Sequence, residues 1–340
     1  MAKTRIQRKQ YILNRSPFFK LESKQRLAVT LSAPLVNLER LASAPSNTVY
    51  NMFDDEKSGR FITEPHGELK RIHKRIAKLF GRVSPPLFLQ SATKKRSYKT
   101  NAQMHLGHSN VFKVDIRQYY PSISFGAVYR FFQKKMKCSP DVATILSKIC
   151  TVSVKGRTHL PTGSSLSPIL SYWVYSDLFD EINALCVSKG CVMTLYVDDI
   201  TVSGASANKE LIAQIEEIIR QAGLTAHKIK IFDGAPATIT GVIVHGNRLA
   251  LPHDRAKDIR ELQGTIRSMP IDTVDPVLSK LVGKLNEAQQ FVAGYGAIKK
   301  ALLAEHAIAW KRITDDRVGK SRKALERRRS RNAPPKPVSG

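Results

Sequence analysis

Two adjacent carboxylates, Asp198 and Asp199, interrupt a run of strand-forming residues in Met193-Thr-Leu-Tyr-Val-Asp-Asp-Ile-Thr-Val-Ser-Gly204. The flanking residues are β-branched or aromatic, so the segment reads as two short strands joined by a tight turn with both acids at its tip. Like charges set among Val, Ile and Leu repel unless a cation lies between them, which points to a divalent metal. An acidic turn bathed in solvent accounts for the same dipeptide equally well. A third acid bears on that choice. Val111-Phe-Lys-Val-Asp-Ile116 alternates as a strand does, with Phe112, Val114 and Ile116 on one face and Asp115 on the other. If the two segments pair, three carboxylates converge. Such a set holds two Mg²⁺ ions, activates an attacking hydroxyl and stabilises a leaving pyrophosphate. Taken alone, Asp115 reads as a strand-end acid in water.

The elements that must position these acids are those of a sizeable body. The 340 residues exceed what one compact core usually holds, and a hydrophobic content of 42% supports a real interior. The 55 Lys and Arg against 28 Asp and Glu give a formal charge of +27, which points to a polyanionic partner, nucleic acid first. No apolar run of about 18 residues and no signal-peptide pattern is present, so the expected location is the cytoplasm, away from membranes. Cys138, Cys150, Cys186 and Cys191 show neither a C-x-x-C pair nor zinc spacing and read as reduced, mostly buried thiols.

Helical spacing recurs on both sides of the acids. Leu69, Ile72, Ile76 and Leu79 form one buried stripe ending at Gly81, while Lys70, Arg71, Lys74, Arg75 and Lys78 cover the other faces and read as solvated. Leu211, Ile215, Ile218 and Ala222 predict a structural helix from 208 to 222, and Leu281, Leu285, Ala288 and Val292 predict another. In the first 50 residues a helical pattern is interrupted by Pro34. Thr93-Lys-Lys-Arg-Ser-Tyr-Lys-Thr100 is a basic loop suited to a phosphate backbone.

Five motifs in order carry a family resemblance. Tyr196-Val-Asp-Asp199 resembles the signature of reverse transcriptases, and Val114-Asp-Ile-Arg-Gln-Tyr-Tyr-Pro-Ser-Ile123 resembles the motif bearing their first catalytic aspartate. Leu160-Pro-Thr-Gly-Ser-Ser-Leu-Ser-Pro168 resembles their nucleotide-side loop. Asn101-Ala-Gln-Met-His105 and Ile239-Thr-Gly241 are similar to elements of bacterial retron reverse transcriptases.

The resemblance implies an α+β right-hand polymerase. Its parts are an N-terminal helical extension (1–50), fingers (51–110), an antiparallel palm (111–250, with a fingers-side insertion at about 125–160), a helical thumb (251–316) and a basic, disordered tail (317–340). It also implies residue roles. Asp115, Asp198 and Asp199 are catalytic and, with the carbonyl of Ile116, bind two Mg²⁺ ions or Mn²⁺ in their place. Lys57 and Arg60 hold the triphosphate, and Tyr120 lies under the sugar, where a ring clashes with a ribose 2′-hydroxyl. Thr162 and Gly163 adjoin the nucleotide, although Thr162 stands where many relatives carry Gln, and Lys230 faces the pyrophosphate. Lys94, Lys95, Arg96, Asn101, His105, Thr240 and Gly241 are expected to hold RNA. The loop-capping reading of Asn101 and His105 stays open beside that.

The implied activity is synthesis of multicopy single-stranded DNA from dNTPs. The template-primer is a cognate structured noncoding RNA primed from its own 2′-hydroxyl, and the product is an RNA–DNA hybrid. A separately encoded effector protein in antiphage defence and a host ribonuclease H would be its partners. An intron-type or diversity-generating reverse transcriptase, or a non-catalytic basic RNA-binding protein, are the alternatives.

Overall fold

The structure of the chain, a computed structural model, describes residues 10–56 and 58–331. Near the N-terminus lie the helices Lys24–Leu31, Leu35–Ser43 and Ser46–Val49. Pro34, lacking an N–H, stands at the N-cap of the second, and Ser32 at φ 55° closes the first, so the predicted interruption is present. Phe18 stacks on Phe80 and meets Phe132 edge-on, which places this extension in the same core as the body.

The chain then forms the hairpin β1 (Tyr50–Asp55) and β2 (Arg60–Pro65) and the helix Gly67–Phe80. Leu69, Ile72, Ile76 and Leu79 are buried as their spacing requires, joined by His73 and Phe80, and Gly81 caps the end. After β3 (Asn110–Ile116) come a second small hairpin, β4 (Val152–Val154) and β5 (Arg157–His159), and the helices Ser167–Val174 and Ser176–Ser188. β6 (Val192–Tyr196) and β7 (Asp199–Ser203) follow, then the helix Lys209–Gln221 and β8 (Ala226–Asp233). That last helix buries Leu211, Ile212, Ile215 and Ile219, a stripe rotated slightly from the predicted one.

The central sheet has the order β6-β7-β3-β8, and every pairing in it is antiparallel. Phe112, Val114 and Ile116 of β3 and Ile200 and Val202 of β7 share one apolar core with the helices. All four cysteines are buried and unpaired.

The compact unit holding this sheet ends at Thr240, with Val244–Asn247 added, whereas the expected boundary was residue 250. The second unit takes Gly241–Ile243 and everything from Arg248. It contains the helices His253–Ser268, Asp275–Ala288, Gly294–Glu305 and Ala307–Arg331, cored by Ile259, Leu278, Leu281, Leu285 and Leu302. Val292, placed by spacing on that stripe, is 40% exposed because its helix has already ended at Ala288. The tail expected to be disordered from residue 317 begins inside a helix that runs to Arg331. Its Ala, Leu, Lys, Arg and Glu are strong helix formers, and the first proline comes only at residue 334. Residues 332–340 lie outside those described.

The ring cluster of Phe18, Phe80, Phe131 and Phe132 joins extension to body. Phe80→Ala should therefore lower stability by about 3–5 kcal/mol. Urea unfolding reads this as a lower midpoint at unchanged slope, and a loss below about 1 kcal/mol would deny the cluster that role.

Candidate active site

The register of the sheet assembles the site. β3 and β7 pair so that Asp115 lies directly opposite Asp199, and β6 and β7 pair through Tyr196 and Asp199. The turn is thus only Val197 and Asp198, and Asp199 is the first residue of β7 rather than part of the tip. Val197 sits at φ 64°, a conformation a β-branched residue adopts only under constraint. Its N–H donates to Ser91 Oγ at 2.8 Å, and the N–H of Ile116 donates to the Asp198 carbonyl at 3.0 Å. Both sides of the turn are therefore pinned.

The electrostatics are those of crowded carboxylates. Burial, and then the charge of Asp115, push Asp198 up to about 6, with Arg60 pulling the other way. Asp199 is also raised by burial, against the pull of Lys113. Lys113, which sequence reasoning passed over, places Nζ 2.6 Å from Asp199 Oδ2, with both side chains about four-fifths buried. It lies two residues before Asp115, so strand alternation puts it on the acidic face, a signal the sequence did contain.

Among the described residues no group of three or more carboxylate, imidazole or thiol side chains is arranged to hold a metal by itself. The donor set nonetheless fits one. Asp199 Oδ1 is buried without a hydrogen-bond partner, and Asp115 and Asp198 repel each other, as oxygen ligands of a hard divalent cation do before it binds.

Lys230 lies opposite Lys113 on β8, is exposed, and its charge reaches Asp199. Between Lys113 and Asp115 the register slips by one residue, with Lys228 at φ 49° and His227 brought opposite Asp115. Such a bulge re-aims the strand beside the acids.

A cleft of about 570 Å³ is lined by Arg60, Tyr120, Thr162, Gly163, Lys70 and Lys74 among others, and Arg60 and Tyr120 link it to the acids through their electrostatic interaction with Asp198. Arg60, Tyr120, Thr162 and Gly163 had been singled out; Lys57 lies outside the described residues. Helical spacing alone reads Lys70 and Lys74 as solvated surface, because it does not distinguish one polar face from another. Lys70 is also 2.5 Å from Glu64. Gly163 has φ 112°, and a Cβ there would come within 2.9 Å of Ile62 Cγ2 on β2, so only glycine admits this approach. Thr162 exchanges bonds with β2: its N–H donates to Thr63 Oγ1 at 2.8 Å and its carbonyl accepts from the Thr63 N–H at 2.6 Å. Beneath the loop His73 is fully buried. The Ile149 carbonyl can only accept, so Nε2 carries the proton and Nδ1 accepts from the Ser164 hydroxyl at 2.7 Å. Burial pushes this imidazole down to about 4.

The residues expected to hold RNA divide. Lys94 and Lys95 are exposed. Arg96 is not free, because its guanidinium donates to the carbonyls of Pro86, Leu87 and Leu89. Asn101 and His105 are completely buried and offer RNA no surface. Thr240 Oγ1 donates to the Tyr98 carbonyl at 3.0 Å, and a Cβ on Gly241 would run into the Arg255 guanidinium. Among the described residues no helix is long and apolar enough to cross a membrane.

Comparison with known proteins points to one family. Residues 53–244 match the family model described as reverse transcriptase (RNA-dependent DNA polymerase). The chain is 26% identical over 222 residues to the retron Ec86 reverse transcriptase of Escherichia coli, covering 62% of this chain and 68% of that one. To the retron Ec48 reverse transcriptase of the same species it is 28% identical over 274 residues, covering 74% and 65%. To the retron Se72 reverse transcriptase of Salmonella heidelberg it is 32% identical over 148 residues, covering 43% and 38%. A solved foamy viral protease-reverse transcriptase in complex with double-stranded DNA aligns with a TM-score of 0.44 at 14% identity, covering 91% of this chain and 49% of that one. The match at residues 53–244 spans more than half of the chain, so the chain belongs to the reverse transcriptase (RNA-dependent DNA polymerase) family, and the curated relatives it resembles are bacterial retron enzymes.

Proposed function

We propose that this chain is a retron-type reverse transcriptase that copies part of a cognate structured noncoding RNA into multicopy single-stranded DNA, priming from a 2′-hydroxyl of that RNA. The observation that carries the chemistry is the register that sets Asp115 against Asp199 with Asp198 on the adjoining turn. Two divalent ions, Mg²⁺ or Mn²⁺, held by Asp115, Asp198, Asp199 and the Ile116 carbonyl would supply charge neutralisation and a more acidic attacking hydroxyl.

The chain's own residues do the remainder. Arg60, with Lys57, Lys70 and Lys74, binds the triphosphate, for which a guanidinium can bridge two oxygens. Tyr120 sits under the sugar and selects deoxyribose by shape. Gly163 admits the nucleotide close to the backbone, and Thr162, bonded to β2, holds that loop against the fingers hairpin. Lys230 meets the departing pyrophosphate. Lys94 and Lys95 meet the RNA backbone, an interaction that the net charge of +27 favours over the whole surface. The reading extends to an RNA–DNA hybrid product, processing by a host ribonuclease H, and a separately encoded effector protein in antiphage defence, all of which rest on the resemblance of the 101–105 and 239–241 elements to retron enzymes.

The deciding experiment is Mg²⁺-dependent dTTP incorporation on poly(rA)/oligo(dT). Asp198→Asn and Asp199→Asn should each lower the rate on the order of 10³-fold while the variants still retain the duplex on a filter. Incorporation that survives both changes would sink the polymerase reading. Sequencing the nucleic acid that copurifies with the protein tests the retron assignment separately: a branched RNA–DNA species is expected, and unbranched bulk RNA alone would overturn it.

The sugar-selecting role of Tyr120 predicts that Tyr120→Ala raises rNTP use relative to dNTP use by roughly 10–200-fold. Unchanged discrimination would remove Tyr120 from the site.

A pH effect follows from the crowding of the acids. Between about pH 4 and 6 the folded protein holds a proton on Asp198 that an unfolded aspartate, with its pKa of ~3.9, has lost. The folded value is the higher one, so metal-free stability falls as pH rises through that window. Mg²⁺ should therefore raise the thermal midpoint more at pH 7 than at pH 5. Equal shifts at the two pH values would deny that these carboxylates bind it.

A further inference from the structure

The 101–105 element marks the retron resemblance, yet its Asn101 and His105 side chains are sealed from solvent. What they touch is specific. The His105 ring places Nδ1 2.7 Å from Ser203 Oγ and Nε2 2.8 Å from Thr194 Oγ1. Thr194 belongs to β6 and Ser203 to β7, the two strands that carry the Val197-Asp198 turn and Asp199. One neutral imidazole therefore spans the base of the catalytic hairpin, one nitrogen donating and the other accepting. Burial pushes its pKa down to about 3, so the ring stays neutral.

The same element reaches further. Asn101 Nδ2 donates to Thr240 Oγ1 at 3.3 Å, and that hydroxyl donates to the Tyr98 carbonyl at 3.0 Å. The two retron-like elements thus bond to each other. Two residues past His105 the Gly107 N–H donates to the Gly246 carbonyl at 2.9 Å.

The segment just upstream supports the other side of the hairpin. The Leu195 N–H donates to the Phe88 carbonyl at 2.8 Å, the Leu195 carbonyl accepts from the Gln90 N–H at 2.9 Å, and Ser91 Oγ holds the Val197 N–H. Arg96, through the carbonyls of residues 86, 87 and 89, fixes that stretch in turn.

We propose that segment 86–105 is a positioning cradle for the Asp198–Asp199 hairpin, with His105 as the clasp across its strands, and that Asn101, His105 and Arg96 act on catalysis through that hairpin rather than by touching RNA. The inference rests on the polymerase reading. A like-charged turn that has to hold Val197 at positive φ needs external bonds to keep one geometry, and a displacement of about 1 Å at such a site is enough to lower a rate on the order of 10²-fold.

The test compares His105→Leu, which breaks both bonds, with His105→Gln, which can restore one, and with the triple variant His105→Leu/Thr194→Val/Ser203→Ala, which leaves no unpaired hydroxyl. Folded monomer of each is assayed for kcat and for the KM of dTTP on poly(rA)/oligo(dT), for filter binding of the same duplex, and for thermal midpoint. In His105→Leu kcat should fall roughly 10–100-fold, with KM and duplex affinity within about twofold of the parent. His105→Gln should regain part of the kcat, and the triple variant should stay slow even where its thermal midpoint recovers. An unchanged kcat in His105→Leu overturns the proposal. So does a kcat that returns with stability in the triple variant, which would make the role purely structural, and so does a loss of duplex affinity at constant kcat, which would return His105 to RNA contact. An inactive parent protein would sink the polymerase reading itself, a result separate from all of these.

Discussion

The pairing of β3 with β7 in one register is the constraint on which this molecule depends. A slip of one residue would turn Asp115 into the apolar core and bring Phe112, Val114 and Ile116 out to the acidic face. Those three side chains, each at most 1% exposed, together with Ile200 and Val202 at 0%, make that slip prohibitive. The hydrophobic effect thus forces two carboxylates to face each other, an arrangement electrostatics alone would disperse.

The backbone around the acids is also held against its preferences. Gln118 and Val197 adopt positive φ within three residues of Asp115 and Asp198, and Lys228 does so on β8 next to His227, the residue opposite Asp115. Conformations of this kind persist only where surrounding bonds over-determine them, and at the hairpin turn those bonds come from Ser91 Oγ and the Ile116 N–H. Strain and support are therefore two aspects of one local design, and both concentrate where charge has to be presented.

Much of this was legible in the sequence, for reasons that differ by residue. Alternation exposed β3 and the hairpin, and helical spacing exposed Leu69 to Leu79, because burial of a stripe leaves a periodic trace. Family motifs led to Asp115, Asp198, Asp199, Arg60, Tyr120 and Gly163, which the fold gathers at one end of the sheet and the cleft beside it. What stayed hidden was the direction of polar side chains. Arg96 reads as one more cation in a basic loop, yet it is spent on backbone carbonyls. His105 reads as a loop histidine, yet it is bracketed by two hydroxyls distant in sequence. On the helix Gly67–Phe80, Arg71 pairs with Glu68 and Arg75 donates to the Thr30 carbonyl, while Lys70 and Lys74 line the cleft. The Glu68–Arg71 pair, three residues apart on one helix, is readable from spacing, whereas the fates of Lys70, Lys74 and Arg75 depend on groups brought in by tertiary structure.

Lys113 explains how the fold tolerates its own active site. A buried carboxylate with no counter-charge would be a large penalty on the folded state, and removing one member of such a pair costs more than the pair contributes. By standing two residues before Asp115 on the same face, Lys113 gives Asp199 a permanent cation at 2.6 Å, and Lys230 adds a second charge from the neighbouring strand. For Asp198, burial first and then the charge of Asp115 push the carboxyl up to about 6, and the charge of Arg60 offsets only part of that. Asp199 therefore has a lysine in contact, whereas Asp198, beside Asp115, stays raised against the weaker pull of Arg60, and that side of the turn is where an external cation adds most.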